Sequence, residues 1–283
     1  MGQYTEEYKK IMFENMELCK KDQDLYNSIL ASRANQKIIK EKVKYNTLTT
    51  GINAHAETKV ILTGCKSFEA AKNYTGKVAV LNFANANHPG GGCLYGASAQ
   101  EESLCRCSTL YECLIDEKAI SGFYQPHSHK NCWGTSDIIY TPNVTVFMSD
   151  DDIPKLQEKD KWFQVDIITC AAPNLSMKSI KDRKILRHEE NIISKRIERI
   201  FNVSIKEKVD VLILGAFGCG AFNNPPDIVA KSMLSACKKY NGMIPVIEFA
   251  VYDPSENMKN YAAFLYEYTR SEFCRPSASI LWR

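Results

Sequence analysis

From Lys59 onward, short apolar runs alternate with longer segments whose apolar residues recur at helical spacing. Runs such as KVAVLNF at residues 77–83 and VDVLIL at residues 209–214 are typical of strands that are buried on both faces of a sheet. Strands that alternate with helices form a sheet that is covered by helices on both sides. The pattern therefore predicts an α/β fold, specifically a three-layer α/β/α sandwich.

The same pattern predicts where the individual elements lie. Strands are predicted at residues 60–62, 77–83, 163–170, 209–214 and 245–251. A hairpin that turns at Pro142 and Asn143 is predicted from residues 138–140 and 144–148. Helices are predicted at residues 67–73, 99–114, 181–205, 226–240 and 259–269.

Residues 1–50 differ from the rest of the chain because they are polar and rich in Lys, Glu and Gln. Their apolar residues, among them Tyr8, Met12 and Leu25, recur at roughly helical spacing, which predicts two or three helices. The chain shows no internal repeat and no Pro/Ser-rich linker. We therefore expect a helical N-terminal extension at residues 1–50 and one domain at residues 51–283.

Composition limits the class of protein. The chain has 283 residues, of which 45% are hydrophobic and 24% charged, as in ordinary soluble globular proteins. The net charge of +3 argues against a dedicated nucleic-acid surface, which would need clustered basic residues. No run of about 18 apolar residues occurs, so no membrane-spanning helix is expected.

Cysteine usage and the first residues indicate a compartment. The 11 cysteines are scattered without a Cys-x-x-Cys pair, and the first residues do not form a basic-then-apolar segment. These features favour reduced thiols and a cytoplasmic protein.

Three consecutive glycines interrupt the pattern within residues 81–102, LNFANANHPGGGCLYGASAQEE. Adjacent glycines favour neither helix nor strand, and they let the backbone approach a ligand closely. In open α/β sheets, ligands bind beyond the carboxyl ends of strands, and this loop follows a predicted strand. We therefore expect its amides to bind a diphosphate or a ribose.

Two adjacent carboxylates, Glu101 and Glu102, follow this loop near the start of a predicted helix. The helix dipole stabilises their charged form, whereas crowding and burial raise the pKa of one of them. A carboxyl with a raised pKa can protonate a leaving oxygen and later take a proton from water, as glycosidic cleavage requires. A capping role is the common alternative for glutamates in a first helical turn.

Taken together, these motifs resemble the microbial-type poly(ADP-ribose) glycohydrolases of the macrodomain superfamily. The family signature is three glycines, seven residues and then Gln-Glu-Glu, and it matches Gly90, Gly91, Gly92, Gln100, Glu101 and Glu102. The similarity continues through NFAN at residues 82–85, YTPNV at 140–144, AAPN at 171–174 and LGAFGCGAF at 214–222. It covers most of residues 55–250 and implies a macrodomain-like fold with a mixed sheet.

The resemblance implies a role for each matching residue. Glu102 matches the catalytic residue, which protonates the oxygen leaving the anomeric carbon of the terminal ribose and then activates water. Glu101 matches the glutamate that orients this ribose, and Asn85 matches an asparagine that contacts it. Gly90, Gly91, Gly92 and Gln100 are expected to bind the substrate as well. The chemistry implies no metal and no cofactor. Poly(ADP-ribose) or ADP-ribosylated protein is the implied partner, ADP-ribose the product, and a monomer the expected state.

The second glycine loop, at residues 215–222, follows a predicted strand and precedes a predicted helix, an arrangement that captures anions with backbone amides. It resembles the other diphosphate-binding loop of the family. Phe222 matches an aromatic residue that packs against the ligand, with a core position as the alternative. Cys219 is not predicted to be a nucleophile because no histidine lies nearby in the sequence. The residues expected to contact substrate here are Gly218, Cys219, Gly220, Ala221 and Phe222.

Five further residues carry weaker signals. His127, His129 and Cys132 form an H-x-H-x-x-C pattern that could begin a zinc site, but no complete ligand set accompanies it, and a polar loop is the preferred interpretation. His88 is interpreted as a loop residue without a catalytic role. Asn174 is a candidate for the adenosine side of the site.

Several functions remain open from the sequence. The preferred hypothesis is hydrolysis of the ribose–ribose bonds of poly(ADP-ribose), from the chain end as expected for the microbial branch. An ADP-ribose-binding macrodomain without activity is the first alternative, since one fold hosts many functions. A hydrolase of ADP-ribose attached to protein or nucleic acid is the second. A Rossmann dehydrogenase ranks lower because no G-x-G-x-x-G opens a helix.

Overall fold

The structure is a computed structural model that describes residues 4–43, 57–128, 133–176 and 183–274, with side chains in the last range from residue 188. The strands are β1 (Lys37–Ile39), β2 (Lys59–Thr63), β3 (Val78–Phe83), β4 (Ile138–Val146), β5 (Phe163–Cys170), β6 (Val211–Leu214) and β7 (Val246–Ala250). The helices are α1 (Thr5–Lys21), α2 (Gln23–Asn35), α3 (Ser67–Ala71), α4 (Gln100–Cys107), α5 (Leu110–Leu114), α6 (Glu117–Ala119), α7 (Gln125–His127), α8 (Arg183–Lys206), α9 (Pro226–Lys239) and α10 (Lys259–Thr269).

The strands follow the order β1-β4-β5-β3-β6-β7-β2. The chain divides into two compact units, with residues 1–41 and 82–171 in unit 1 and residues 42–81 and 172–283 in unit 2. β3 crosses from unit 2 into unit 1 between Leu81 and Asn82. The predicted α/β class with a mixed sheet is confirmed, whereas the division at residue 50 remains a prediction.

Unit 1 contains the antiparallel strands. β4 pairs with β1 through Ile138↔Ile39 and with β5 through Val144↔Val165. The predicted helices near the N-terminus are present as α1 and α2, but β1 was not predicted. Because β1 is only three residues long, its extended conformation is set by pairing with β4 rather than by a sequence pattern of its own.

The hairpin predicted around Pro142 and Asn143 is wrong, because residues 138–146 form the single strand β4. The register against β5 shifts between Thr141 and Val144, which marks a β-bulge. Asn143 has a φ of 55° there, and its N–H donates to Oδ1 of Asp166 at 2.9 Å. A bulge accommodates a proline that cannot donate to the ladder, so the turn residues bend the strand instead of reversing it.

The helix predicted at residues 99–114 is also wrong in its length, since α4 and α5 are separate. Ser108, at the break, is extended with φ −150° and ψ 176°, and it forms an isolated bridge with Val146. The Ser108 hydroxyl donates to the Leu104 carbonyl at 2.7 Å and accepts the Leu110 N–H at 3.2 Å. A serine hydroxyl that satisfies backbone groups on both sides supports the end of one helix and the start of the next.

Unit 2 contains the parallel strands and the long helices. β6 pairs parallel with β3 through Val211↔Val78 and with β7 through Val211↔Val246, while β2 pairs parallel with β7. All four residues of β6 are buried, as predicted for a strand covered on both faces. The predicted strands at 60–62 and 245–251 and helices at 181–205, 226–240 and 259–269 are confirmed within a few residues.

The core of unit 2 follows the helical period of α8. Ile197 follows Ile193 by four residues, and Ile200 and Phe201 follow Ile197 by three and four; all four side chains are fully buried. Burial of each such side chain contributes about 1.5–3 kcal/mol. No helix among the described residues combines the length and apolarity needed to cross a bilayer.

Candidate active site

Glu101 and Glu102 lie in the first turn of α4 in unit 1, where the sequence placed them. Both side chains are buried, with exposed fractions of 3% and 9%. The unsatisfied N–H groups at a helix start carry partial positive charge, which favours carboxylates at this position. Two acidic side chains are thus held away from bulk solvent beside the glycine loop.

Glu101 forms hydrogen bonds with residues at the carboxyl end of β3. Its Oε2 accepts the main-chain N–H of Asn85 at 2.7 Å, and its Oε1 accepts Nδ2 of Asn82 at 3.3 Å. Burial raises the pKa of the Glu101 carboxyl well above its usual range; the N–H of Asn85 acts in the opposite direction, and the neighbouring Glu102 carboxyl adds to the increase. The raised pKa that was expected for one of the pair is therefore found at Glu101. The case for Glu102 as the proton donor rests on its position at the glycine loop and on its place in the motif.

Replacement of Glu101 with Gln is expected to change how stability depends on pH. The pKa of Glu101 in the folded protein lies above that of an unfolded glutamate, so its contribution is full at acid pH and is lost as pH rises through the folded pKa. The unfolding midpoint Tm of the wild type should therefore fall relative to that of Glu101→Gln as pH rises from the usual glutamate range. Calorimetry across this range tests the prediction, and a Tm difference independent of pH would contradict it.

Glu102 is held by the glycine loop. The N–H of Gly92 donates to Oε1 of Glu102 at 2.9 Å. At Gly91, where φ is +59°, a Cβ atom would lie 2.4 Å from the same oxygen. No side chain fits at Gly91, so the local sequence lets the backbone and the carboxyl come this close together.

Several backbone groups of the glycine loop form hydrogen bonds with other backbone groups of the same loop. The N–H of Gly91 donates to the His88 carbonyl at 3.0 Å, and the N–H of Cys93 donates to the Gly90 carbonyl at 3.1 Å. Together with the Gly92–Glu102 bond, these contacts occupy the N–H groups of Gly91 and Gly92, which were expected to bind a ligand, and that of Cys93. Because the glycines have no side chains, the loop can also approach the carboxyl of Glu102, the candidate catalytic residue, closely.

Asn85 and Gln100 shape the segment between β3 and α4. Oδ1 of Asn85 accepts the N–H groups of Asn87 at 2.9 Å and His88 at 3.1 Å. Oε1 of Gln100 accepts the N–H of Phe83 at 2.9 Å. Both amides stabilise the turn that brings the two glutamates to the end of β3.

The second glycine loop belongs to unit 2 and follows β6. At Gly218 φ is +74°, and a Cβ atom would lie 2.4 Å from Cβ of Ala172. The Asn224 side chain closes the loop by donating to the carbonyls of Pro173 at 2.8 Å and Gly218 at 2.9 Å. Four main-chain N–H groups make no hydrogen bond within the described part of the chain: those of Gly218, Gly220, Ala221 and Phe222. Unpaired amides in such a loop suit the capture of an anion.

The side chains of this loop differ in what they can do. Phe222 is half-buried, and its carbonyl accepts the N–H of Leu175 at 2.9 Å, whereas Phe217 is the fully buried aromatic. Burial raises the pKa of the Cys219 thiol, which disfavours the thiolate that a nucleophile needs. Because Phe222 is only half-buried, the exposed side of its ring can contact a ligand.

His127 lies in unit 1 and has a structural environment. It is buried, with Nδ1 within 2.7 Å of the Phe123 carbonyl and Nε2 within 2.7 Å of Oγ1 of Thr135. Both ring nitrogens are thus engaged, while His129 and Cys132 lie outside the described residues. No group of three or more potential metal ligands occurs among the residues that the structure describes.

Two residues that the sequence analysis did not single out support the site. Asn82 is fully buried and donates to Glu101 and, at 3.2 Å, to Oγ1 of Thr169. An amide inside the apolar run VAVLNF must find a buried partner, and this signal was present in the sequence. Arg106, on α4, is also buried; its contact with the Tyr8 ring joins residues 98 positions apart and could not be inferred from the sequence.

Comparison with known proteins identifies relatives. The model of the family described as "Microbial-type PARG, catalytic domain" matches residues 1–149. The structure of poly(ADP-ribose) glycohydrolase (PARG) from Thermomonospora curvata has a TM-score of 0.80 and 28% identity, covering 92% of this chain and 98% of that chain. PARG from Deinococcus radiodurans in complex with ADP-ribose has a TM-score of 0.73 and 30% identity, covering 85% and 96%.

A third structure, T. curvata PARG bound to the inhibitor ADP-HPD, has a TM-score of 0.79 and 27% identity over 92% of this chain and 98% of that chain. No match was found among curated proteins. The family model spans 149 of the 283 residues, which is more than half of the chain. This α/β protein with a mixed, macrodomain-like sheet therefore belongs to the microbial-type poly(ADP-ribose) glycohydrolase family.

Proposed function

We propose that this protein hydrolyses the ribose–ribose O-glycosidic bonds of poly(ADP-ribose) and releases ADP-ribose. The observation that carries the proposal is the Glu102 carboxyl, buried at the start of α4 with one oxygen held by the N–H of Gly92 at 2.9 Å. A positioned, partly desolvated carboxyl is the group that glycosidic cleavage needs. Family membership supports the same activity.

In the proposed mechanism Glu102 acts twice. Its carboxyl proton moves to the oxygen that links the anomeric carbon of the terminal ribose to the next unit, and that C–O bond breaks with oxocarbenium-like character. The resulting carboxylate then takes a proton from water, whose oxygen bonds to the anomeric carbon. These two transfers return Glu102 to its starting state and use no metal or cofactor.

Glu101, Asn85 and the glycines are proposed to hold the terminal ribose. Because Glu101 is buried and already accepts the N–H of Asn85, a hydroxyl bound at this carboxyl would meet a group of fixed orientation. Nδ2 of Asn85 makes no hydrogen bond within the described residues and remains available to the sugar. Gln100 is proposed to support this binding site, since its side chain accepts the N–H of Phe83 and so links α4 to the end of β3.

The loop at residues 215–222 is proposed to bind diphosphate. Its four unpaired N–H groups supply donors without a net positive charge, which agrees with the modest charge of the chain. A Cβ placed on Gly220 would have no atom within 4 Å, so an anion can approach the backbone of this residue freely. Phe222 would pack its exposed side against the ligand.

The remaining details are also proposals. Attack at the chain end is proposed from the similarity to the microbial-type branch of the family. A cytoplasmic location is supported by the free thiols of the described cysteines, which suit a reducing compartment. A monomer is the proposed state.

Incubation with two substrates tests the proposal. Purified protein is given poly(ADP-ribose) and, separately, a mono-ADP-ribosylated protein, and products are resolved by chromatography. We expect free ADP-ribose from the polymer and little release from the modified protein. Oligomers as the early products would contradict attack at the chain end. Binding of ADP-ribose without any cleavage would contradict the hydrolase, and faster release from protein than from polymer would favour a mono-ADP-ribosyl hydrolase.

A further inference from the structure

A buried positive charge lies one turn after Glu102 on the same face of α4. The Arg106 side chain is only 2% exposed, and its guanidinium remains charged at any physiological pH. Removing an ion from water is strongly unfavourable unless its surroundings replace the lost hydration. The Arg106 guanidinium and the groups that surround it should therefore hold each other in place.

The partners of Arg106 come from two directions within unit 1. Nη1 donates to the carbonyl of Ala97 at 2.6 Å, and the guanidinium carbon lies 4.0 Å from the centre of the Tyr8 ring on α1. A cation over an aromatic face is attracted by the negative face of the ring, and this attraction is stronger in desolvated positions. The Asn15 amide, also on α1, donates to the Arg106 carbonyl at 2.5 Å.

Ala97 connects Arg106 to the group that holds the catalytic-candidate carboxyl. The N–H of Ala97 donates to the carbonyl of Gly92 at 3.2 Å. The N–H of Gly92 in turn donates to Oε1 of Glu102 at 2.9 Å. A continuous series of contacts thus runs from the Tyr8 ring through Arg106, Ala97 and Gly92 to the Glu102 carboxyl.

The start of α1 also packs closely against the turn that precedes Ala97. Gly96 has a φ of +76°, and a Cβ atom there would lie 2.2 Å from the carbonyl oxygen of Thr5. The hydroxyl of Tyr8 donates to the carbonyl of Asp152 at 2.8 Å, which orients the ring from its other end. The backbone of α1 thus lies against the turn at Gly96, and the Tyr8 ring of α1 lies against Arg106. Movement of α1 would therefore displace both the turn and the Arg106 side chain.

We propose that Tyr8 is a positioning residue that acts through Arg106, Ala97 and Gly92 to set the orientation of the Glu102 carboxyl. α1 then belongs to the catalytic machinery, in agreement with a family match that includes residues 5–21. The inference rests on the proposed hydrolysis by Glu102 and adds to it the group that keeps this carboxyl in its productive geometry.

Tyr8→Leu removes the aromatic face, and Tyr8→Phe is the matched control that keeps the face and loses only the hydroxyl. For Tyr8→Leu we expect kcat on poly(ADP-ribose) to fall on the order of 10-fold to 100-fold, because small misplacement of a reacting group has effects of this size. KM and the Kd for ADP-ribose should change by less than about threefold, since an effect on the transition state alone appears in kcat. Tyr8→Phe should retain most of the wild-type kcat.

A kcat for Tyr8→Leu equal to that of Tyr8→Phe would overturn the inference, as would parallel losses of kcat and of ADP-ribose affinity. If circular dichroism shows that Tyr8→Leu does not fold, Arg106→Lys serves instead. Lysine keeps the charge but lacks the planar group that lies over the Tyr8 ring, so the same selective loss of kcat is expected. An unchanged kcat for Arg106→Lys would contradict the inference. A wild-type protein without activity on polymer would instead refute the proposed function itself.

Discussion

Glu102→Gln is expected to lower kcat on poly(ADP-ribose) by about 100-fold to 10,000-fold, the usual contribution of a positioned proton donor. Glutamine retains the size of the side chain and an oxygen that can accept the N–H of Gly92, which lies 2.9 Å from Oε1 in the wild type. It cannot supply the proton that the leaving oxygen needs. Steady-state rates of ADP-ribose release, with calorimetric titration of ADP-ribose, measure the two effects separately.

The control for this substitution is Glu117→Gln. Glu117 also lies in the first helical turn of an element of unit 1, α6, but its side chain is exposed. It should retain wild-type activity, and both variants should bind ADP-ribose with nearly unchanged affinity. Substantial polymer cleavage by Glu102→Gln would remove this residue from the mechanism and leave the family fold with a different proton donor.

Gly91→Ala is expected to cause the second-largest loss, on the order of 100-fold in kcat, because displacement of a reacting group by about 1 Å has effects of this size. The new Cβ would lie 2.4 Å from Oε1 and 3.1 Å from the carboxyl carbon of Glu102, so the carboxyl must move. The φ of +59° adds strain of roughly 1–2 kcal/mol for a residue with a Cβ. Activity assays and the unfolding midpoint Tm report these two effects.

Gly64→Ala is the matched control, since its Cβ would meet only Cε2 of Tyr261 at the ordinary distance of 3.9 Å. It should leave both activity and Tm close to the wild-type values. Full activity of Gly91→Ala would show that the Glu102 carboxyl is not held at the loop as described. A fall in Tm without a fall in kcat would assign the glycine to stability alone.

Much of the site was predictable because its parts are adjacent in the sequence. The glycines, Gln100 and the two glutamates occupy one strand–loop–helix segment, and the backbone freedom of glycine and the charge of a carboxylate are properties of the residues themselves. The structure adds that Gly91 is a glycine because of Glu102, a contact between residues 11 positions apart. The division of α4 from α5 at Ser108 was missed because a single helical period continues across the break.

The alternation of apolar runs and helical segments determined the α/β class, the buried strands and the order of most elements, since hydrophobic periodicity depends only on local sequence. Tertiary structure decided the bulge at Asn143, the pairing of β1 and the place of Tyr8 beside Arg106. Each of these depends on a partner many residues away, such as Asp166 for Asn143 and Tyr8 for Arg106. Burial likewise decided that Glu101 has the raised pKa, because desolvation depends on the packed environment rather than on residue type.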